Sequence, residues 1–406
     1  LLALPVQAAE PFRAVMNIEL QVLDPILTTA TVTRALGYMI YDMLIAMDSK
    51  GEYHPQMLES WKASDDRMTW TMTLRPGLTW HDGAAVTPDD CIASIKRWAQ
   101  MDAFGKRMLS ATADMRVIDD RTFQIVLSRP FAFVIEALGK PNALLPVMMP
   151  ARMAATPANK ANTETIGSGP FTFNRDEWRP GDRAICHRNP AYKPRPEPAD
   201  GFAGGKVAHF DTVEFVSIPD PGGRVTALET GAVDYVEILT FDYIEKMRQD
   251  PRVKIMQMPA YAQTTGGLSV NNLIPPFNDV RMRRALQIAL DQKEIMAGMG
   301  LPPDMYLPFC QSVFLCGGPY GTDAGNAYLR EPSAEKARAL LKEAGYKGEK
   351  IVLLHSIDSA TINPISLVVI DELKRAGFNL EVVSSDYSSL AQRRTKKDSI
   401  EQGGWN

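Results

Sequence analysis

Five histidines and one serine between glycines are the residues of this chain that could support hydrolytic chemistry. Ser168 lies in the segment Ile166-Gly167-Ser168-Gly169-Pro170-Phe171. A nucleophile elbow requires Gly-x-Ser-x-Gly, whereas glycine directly precedes and follows Ser168. A phosphate-binding loop also requires a Gly-Lys-Ser/Thr sequence, and the segment continues differently. The five histidines, as possible bases, have no recognisable spacing to a nucleophile: His54, His81, His187, His209 and His355. The pattern therefore predicts no catalytic residues, and a secreted hydrolase acting on peptides or esters is kept as the alternative.

The four cysteines do not follow the spacing of a metal site. Cys310 and Cys316 enclose a short loop and could close a disulfide, whereas Cys91 and Cys186 are more typical of buried thiols. Neither a Cys-x-x-Cys nor a His-x-x-x-His pair occurs. We therefore predict no metal and no cofactor.

Composition and charge limit the class of protein. The chain has 406 residues, 45% of them hydrophobic, and a formal net charge of −4. This length can form two or three domains. Without a basic block a nucleic-acid partner is not expected. No run approaches the ~18 apolar residues that a membrane span needs.

The first residues are typical of a processed secretory signal. Residues 1–8 end in Val6-Gln7-Ala8, a small-x-small cleavage site, and we interpret them as a signal-peptide remnant. This predicts a periplasmic protein, in an oxidising compartment where disulfides persist.

Turn and capping residues divide residues 38–98 into short elements. They predict a turn at Lys50-Gly51, a short amphipathic helix at Leu58–Trp61, strands at Trp70–Leu74 and Leu78–Trp80, and a helix capped by Thr87.

Later patterns predict further elements of both kinds. They are strands at Arg13–Leu20 and Val253–Met258, a hairpin of Asp114–Ile118 with Thr122–Leu127, an apolar helix from Pro130 to Leu138, and helices capped by Asn278 and Ser333. Helices and strands alternate after Ser333, which indicates an α/β lobe.

The order of these segments resembles that of a known family. The segments that carry the resemblance are Leu58-Glu59-Ser60-Trp61, Thr69–Asp90, Gly167–Phe171, Arg224–Val236 and Gly267–Arg281. They are similar to the extracellular solute-binding proteins of family 5, which are the dipeptide, oligopeptide and nickel receptors of bacterial ABC importers.

The resemblance implies an α/β fold of the periplasmic-binding-protein type II, a two-lobed Venus flytrap with the extra subdomain of the peptide-binding cluster. Lobe I would comprise residues 9–50 and 169–265, the extra subdomain residues 51–168, and lobe II residues 266–406. It implies a monomer that captures a small solute, with di- or oligopeptides as the default, closes around it and delivers it to the transmembrane subunits of an ABC permease. A chaperone-like or adhesive protein is a third class that the sequence leaves open.

The resemblance also implies candidate ligand-binding residues. Thr28 and Thr29 follow the turn at Leu23-Asp24-Pro25, where they would lie near the ligand or cap a helix. Tyr261, Phe131 and Trp405 are candidates for an aromatic wall, and core packing is an equal alternative for each of them. Asn406 follows the Gly-Trp pair directly and is a candidate orienting group. In the family this pair enters another strand and the chain continues, so we expect further residues after Asn406.

Overall fold

The computed structural model describes residues 11–257, 266–316, 321–324, 331–359 and 361–404. The chain divides into two compact units, Leu1–Ile238 and Leu239–Asn406, and each is described by itself. The division lies within the stretch that the sequence assigned to lobe I, and the finer boundaries of lobes and subdomain stay a prediction. Among the described residues, no helix combines the length and the apolar character that crossing a bilayer requires.

Unit 1 contains a mixed five-stranded sheet, an antiparallel four-stranded sheet and a two-stranded hairpin. The strands of this unit are β1 (Phe12–Val15), β2 (Ile45–Met47), β3 (Tyr53–Pro55), β4 (Leu58–Ala63), β5 (Thr69–Leu74), β6 (Thr112–Val117), β7 (Thr122–Leu127), β8 (Phe171–Phe173), β9 (Arg183–Arg188), β10 (Thr212–Val216) and β11 (Tyr235–Val236). The mixed sheet has the order β11-β1-β10-β9-β8, and the antiparallel sheet has the order β4-β5-β7-β6. In the mixed sheet β1 is parallel to both β10 and β11.

Each large sheet of unit 1 packs against its own helices. The helices are α1 (Thr31–Ile40), α2 (Pro88–Ala99), α3 (Ala103–Ser110), α4 (Val134–Gly139), α5 (Ala151–Ala154) and α6 (Pro221–Glu229). One hydrophobic core joins α1 to the mixed sheet. A second core joins α2, α3 and α4 to the antiparallel sheet. Unit 1 is thus built around two cores.

The start of α2 confirms the predicted cap. Asp90 N donates to Thr87 Oγ1, and the Asp90 carboxylate accepts from Thr87 N at 2.9 Å, so a complete capping box forms. Pro88 occupies the first turn, where its missing N–H costs no hydrogen bond. The Asp90 carboxylate also accepts from Trp80 Nε1 and Ala151 N, so one residue both caps the helix and connects it to two other segments.

Four predicted elements differ from the structure. The strand predicted at Arg13–Leu20 ends at Val15, as β1. The predicted helix at Leu58–Trp61 is strand β4, because its backbone pairs with β5 in antiparallel register. The predicted strand at Leu78–Trp80 is reduced to one bridge between Thr79 and Ala85. Residues 253–257 form no strand, and Met258 lies outside the described residues. The short apolar patterns behind these predictions do not distinguish helix, strand and turn, so pairing partners decided the outcome.

Unit 2 packs helices onto a two-stranded parallel sheet. Its elements are β12 (Ile351–Ser356), β13 (Leu380–Ser385), α7 (Ile244–Arg248), α8 (Val280–Ala289), α9 (Gln292–Gly298), α10 (Ala334–Glu343), α11 (Ile362–Arg375) and α12 (Tyr387–Arg393). Ser333 caps α10 as predicted. The cap of α8 is Asp279, not the predicted Asn278: the Asp279 carboxylate accepts from Arg281 N at 2.8 Å.

The predicted disulfide is confirmed. Cys310 and Cys316 are bonded, with Cα atoms 5.8 Å apart. The Gln292 side chain accepts from Cys310 N at 2.8 Å and donates to Cys310 O at 2.9 Å, which attaches the loop to the first residue of α9. Cys91 and Cys186 are buried free thiols, and burial raises the pKa of both. These two thiols are therefore poor nucleophiles at neutral pH.

A buried ion pair lies where the two cores of unit 1 meet. Arg97 on α2 and Asp24, in the turn before α1, approach to 2.9 Å, and both side chains are almost completely inaccessible. Leu23 belongs to one core and Ile26 to the other. Because removal of one partner leaves a buried charge uncompensated, the pair makes its two segments depend on each other.

We predict that Arg97→Met destabilises unit 1 by about 3–5 kcal/mol, the usual effect of breaking a buried pair. Urea unfolding followed by tryptophan fluorescence measures the change. Glu59→Gln is the matched control, because Glu59 forms an exposed pair with Arg121, and exposed pairs contribute about 0–1 kcal/mol. An Arg97→Met loss as small as that of the control would contradict the prediction.

Glu372 is a buried carboxyl group in unit 2. The residue is 2% exposed; Oε1 accepts from Asp291 N at 3.1 Å, and Oε2 has no partner among the described residues. Burial raises the pKa of Glu372 to about 7, and Glu294 and Asp291 act in the same direction. The hydrogen bond from Asp291 N and the charge of Arg375 lower the pKa but do not outweigh burial, and Arg375 itself pairs with Glu294 at 2.6 Å.

We predict that unit 2 loses stability as the pH rises from about 4.5 to about 7. Over this range the folded state holds the Glu372 proton and the unfolded state releases it, so the stabilisation is complete at low pH and lost at high pH. Glu372→Gln should remove this slope and stabilise unit 2 at pH 8. Hydrogen exchange of the α11 amides at several pH values measures it, with the exposed Glu381→Gln as control. An unchanged slope in Glu372→Gln would refute the assignment.

Candidate functional site

The structure describes three of the six candidate ligand-binding residues. Tyr261, Trp405 and Asn406 lie outside the described residues. Thr28, Thr29 and Phe131 all belong to unit 1. Their ligand roles stay a prediction.

Thr28 and Thr29 lie between the Asp24 turn and α1. Neither caps the helix, because the cap position is Ala30 and no side chain bonds there. The Thr28 hydroxyl accepts from Ala30 N at 3.1 Å within a local turn, and Thr29 is exposed. The capping alternative is therefore wrong.

Phe131 forms part of a surface aromatic cluster. Its ring centroid lies 5.8 Å from that of Phe104 and 6.2 Å from that of Phe133. Phe131 and Phe104 pack on the core beneath α3 and the antiparallel sheet, and Phe133 is 53% exposed. A packing role is thus visible for Phe131.

Ser168 lacks the surroundings of a nucleophile. The residue is buried, and its Oγ contacts Met57 Sδ at 4.0 Å. The nearby imidazole of His81 bonds to the backbone of Gly167 and Gly169. Among the described residues, the contacts of this segment are therefore packing contacts and backbone hydrogen bonds. This agrees with the sequence, which does not match the nucleophile-elbow pattern.

The carboxyl ends of the parallel strands in unit 1 bring three loops together. Open α/β sheets bind ligands beyond this edge, because loops from neighbouring strands meet there. The loops after β1, β10 and β11 begin with Met16, Ser217 and Glu237 respectively. This edge is the site to which the topology points in unit 1.

Two charged side chains connect these loops. Arg224 Nε donates to Ile218 O at 2.6 Å, and its terminal nitrogen donates to Asn17 O at 3.3 Å. The Glu237 carboxylate accepts from Asn17 N at 2.7 Å. Arg224 thus uses two of the five guanidinium N–H groups on backbone carbonyls, and a guanidinium fixed in this way is preorganised to receive an anion.

Burial dominates the electrostatics of Arg224. It lowers the pKa of Arg224, and the carboxylates of Glu237 and Asp220 partly offset this effect. The side chain stays charged because an arginine begins from a very high pKa. The edge therefore carries a half-buried cation beside an acid.

The equivalent edge of unit 2 is polar and carries two acids. After β12, the Asp358 carboxylate accepts from Ser356 Oγ at 2.7 Å and from Tyr387 N at 2.8 Å. After β13, Asp386 caps α12 by accepting from Ser389 N. His355, behind the edge, contacts Ser384 Oγ and Asn363 Oδ1. Side chains therefore hold both loops in place.

Sequence reasoning missed Arg224, Glu237, Asp358 and Asp386. The available signal was positional: Glu237, Asp358 and Asp386 follow directly or closely after a strand, and Arg224 lies in the first helix after β10. The signal becomes useful only when the strands are known to be parallel, which one sequence does not show.

One group of residues has the composition of a metal site. Possible ligand atoms of Asp48, Glu52 and His54 lie within 4.8 Å of one another on the β2–β3 hairpin. Asp48 Oδ1 already accepts from Lys50 N and Glu52 N, and Oδ2 lies 2.8 Å from His54 Nε2. These bonds close the turn, so the hairpin itself accounts for the arrangement.

Comparison with known proteins identifies the family. The model of the bacterial extracellular solute-binding proteins, family 5 Middle, matches residues 52–406. A relative from Sinorhizobium fredii is 38% identical over 390 residues, covering 95% of this chain and 72% of that protein, and is named a probable peptide ABC transporter periplasmic-binding protein. The dipeptide-binding protein of Escherichia coli is 27% identical, covering 90% of this chain and 70% of that protein.

Solved structures show the same fold. The binding protein AgaA from Agrobacterium tumefaciens, in complex with agropinic acid, has a TM-score of 0.78 at 24% identity and covers 95% of this chain and 74% of its own. The binding protein DppA from Helicobacter pylori, in complex with the peptide STSA, has a TM-score of 0.75 at 21% identity and covers 95% of this chain and 75% of its own. These matches confirm the two-lobed type II fold predicted from the resemblance. This chain belongs to the bacterial extracellular solute-binding proteins of family 5, which are substrate-binding components of ABC importers in the periplasm or outside the cell.

Proposed function

We propose that this protein is a periplasmic receptor that captures a di- or oligopeptide, or a peptide-like compound, and delivers it to the transmembrane subunits of an ABC permease without chemical change. The carrying observation is the 38% identical relative, which is named a peptide transporter component and matches 95% of this chain. The buried Ser168, with its hydroxyl against Met57, supports binding without turnover.

Capture in this proposal requires contacts that differ between an open and a closed state. A ligand shifts such an equilibrium only through differential affinity for the two states. We propose that in unit 1 these contacts include Arg224 and Asn17, at the carboxyl ends of the parallel strands. Thr28, Thr29, Phe131, Tyr261, Trp405 and Asn406 stay proposed contributors.

The bound solute can be identified directly. Denaturation of the purified full-length protein should release a mixture of short peptides, detected by mass spectrometry. Added peptide should raise the unfolding free energy by about 2.7 kcal/mol at a concentration of 100 Kd. Chromatography of the same mixture after long incubation should show intact peptide. A single non-peptide compound would overturn the ligand assignment, and cleavage products would overturn the receptor function.

Arg224 provides a test of the proposed contact surface. We predict that Arg224→Gln weakens binding of a peptide with a free carboxylate about tenfold or more, since one hydrogen bond between charged groups contributes about 1.5–3 kcal/mol. Binding of the same peptide with an amidated C-terminus should change little. Titration calorimetry measures both affinities.

The amidated peptide separates recognition from structure, because loss of the Asn17 and Ile218 contacts would weaken both ligands equally. Arg188→Gln is the matched control, since Arg188 forms an exposed pair with Asp211 in the same unit. If Arg224→Gln weakened the binding of both peptides equally, Arg224 would not be a ligand contact, and its role would be to hold the loops through Asn17 and Ile218.

A further inference from the structure

His81 makes three hydrogen bonds to one short segment of unit 1. His81 N donates to Gly167 O at 2.9 Å. Gly167 N donates to His81 Nδ1 at 3.2 Å, and His81 Nε2 lies 3.1 Å from Gly169 O. The turn at His81 and the segment Gly167–Gly169 are thus joined by backbone and side chain together.

These partners determine the tautomer of His81. A backbone N–H only donates, so Nδ1 must accept from Gly167; a carbonyl only accepts, so Nε2 must donate to Gly169. Only the neutral imidazole with its proton on Nε2 meets both conditions. A proton on Nδ1 would place two donors against each other with no acceptor between them.

The opposite side of the segment packs against the end of α1. Gly169 N donates to Ile40 O at 2.8 Å. A Cβ added at Gly167 would lie 2.0 Å from Ile40 O, and one added at Gly169 would lie 2.5 Å from Met39 O. Glycine is required at both positions because of this close approach, and His81 holds the segment from the other side.

The segment also connects the two cores of unit 1. Ile166, just before it, packs against both cores. Pro170 separates it from β8 in the mixed sheet, and His81 belongs to the turn that leads to α2 in the other core. The three hydrogen bonds of His81 therefore link the elements of one core to those of the other.

Two acids face the imidazole, and each is already paired. Asp82 pairs with Arg152 at 2.7 Å, and Arg152 also reaches Glu164 at 3.4 Å. Asp42 pairs with Lys206 at 2.6 Å and accepts from Tyr192 OH at 3.0 Å. Because both carboxylates are already neutralised by these cations, they stabilise a protonated His81 only weakly.

Burial is accordingly the main influence on His81. It lowers the pKa of His81 below 6.5, against weaker opposing effects of the Gly169 carbonyl, Asp82 and Asp42. Because the folded state disfavours the proton, the stabilisation is complete above pH 6.5. It is lost as the pH falls through the unfolded value towards the lower folded value.

We propose that the hydrogen bonds of His81 form an acid-sensitive link that holds Gly167–Gly169 between the two cores of unit 1. When the imidazole takes up a proton, the link breaks and the segment is released. The compartment outside the cytoplasmic membrane follows the external pH, so such a release would change the rigidity of the receptor in acid.

Nitrogen NMR of the full chain with ¹⁵N-labelled histidine tests the tautomer and the titration together. We expect the imidazole signal that disappears in His81→Gln to show the Nε2–H form at pH 7.5 and to titrate below pH 6.5. His187→Gln is the control, because His187 lies 2.8 Å from Glu177 in an exposed pair and should leave this signal unchanged. An Nδ1–H tautomer, or titration at or above pH 6.5, would overturn the proposal.

Hydrogen exchange tests the release itself. Protection of the Gly167 and Gly169 amides, corrected for intrinsic rates, should fall at least tenfold as His81 titrates in the wild type. It should stay independent of pH in His81→Gln, whose amide can both accept and donate but does not titrate. The proposal would be refuted if protection did not change as His81 titrates in the wild type, or if acid lowered protection equally in both proteins. If His81→Gln does not fold, removal of the other four histidines identifies the His81 signal, and the wild-type exchange profile decides.

Discussion

The buried pair of Asp24 and Arg97 is the interaction on which unit 1 depends. The Arg97 guanidinium donates to Asp24 at 2.9 Å and also to Thr156 O and Lys160 O. The Asp24 carboxylate accepts from Asn162 N at 3.1 Å and from Ile26 N at 3.3 Å. Two charges thus neutralise each other and satisfy backbone groups from two loops. Desolvation makes the pair a weak source of net stability, but any other arrangement of these segments would leave a charge buried alone.

Other polar groups of unit 1 follow the same principle. Asp90 caps α2 and accepts from Trp80 Nε1 at 3.1 Å and from Ala151 N at 2.7 Å. The Asp42 carboxylate accepts hydrogen bonds from Lys206 Nζ and Tyr192 OH, which attaches a distant loop to the end of α1. His81 does this for the segment Gly167–Gly169. Apolar packing builds the two cores separately, whereas these directional contacts specify how the cores join. A receptor that works by rigid-body closure needs such joined cores.

The ligand contacts that we propose lie where the fold brings loops together. In both units, charged side chains near the carboxyl ends of the parallel strands are already fixed by hydrogen bonds to the backbone: Arg224 donates to Ile218 O, and Asp358 accepts from Tyr387 N. Fixed side chains reduce the conformational entropy that binding must remove. The raised pKa of Glu372 and the neutral imidazole of His81 lie outside these edges. We infer that Glu372 bears on the stability of unit 2 and His81 on that of unit 1.

Sequence alone determined the family, the disulfide of Cys310 and Cys316, the cap at Thr87 and the hairpin of β6 and β7, because each depends on residues close in the chain or on a long ordered pattern. It did not determine that Leu58–Trp61 is an edge strand, that Asp279 caps α8, or that Arg97 finds Asp24. The outcomes for β4 and α8 depend on near partners, strand β5 and Arg281 N, that the short apolar and capping patterns did not distinguish. The contact of Arg97 with Asp24 depends on distant ones, because the two residues lie 73 positions apart and Asn162 N also donates to Asp24. Only the tertiary structure decided which loops meet at the carboxyl ends of the parallel strands and which tautomer His81 adopts. Strand direction and the approach of Gly167 to His81 arise from long-range packing that no local pattern encodes.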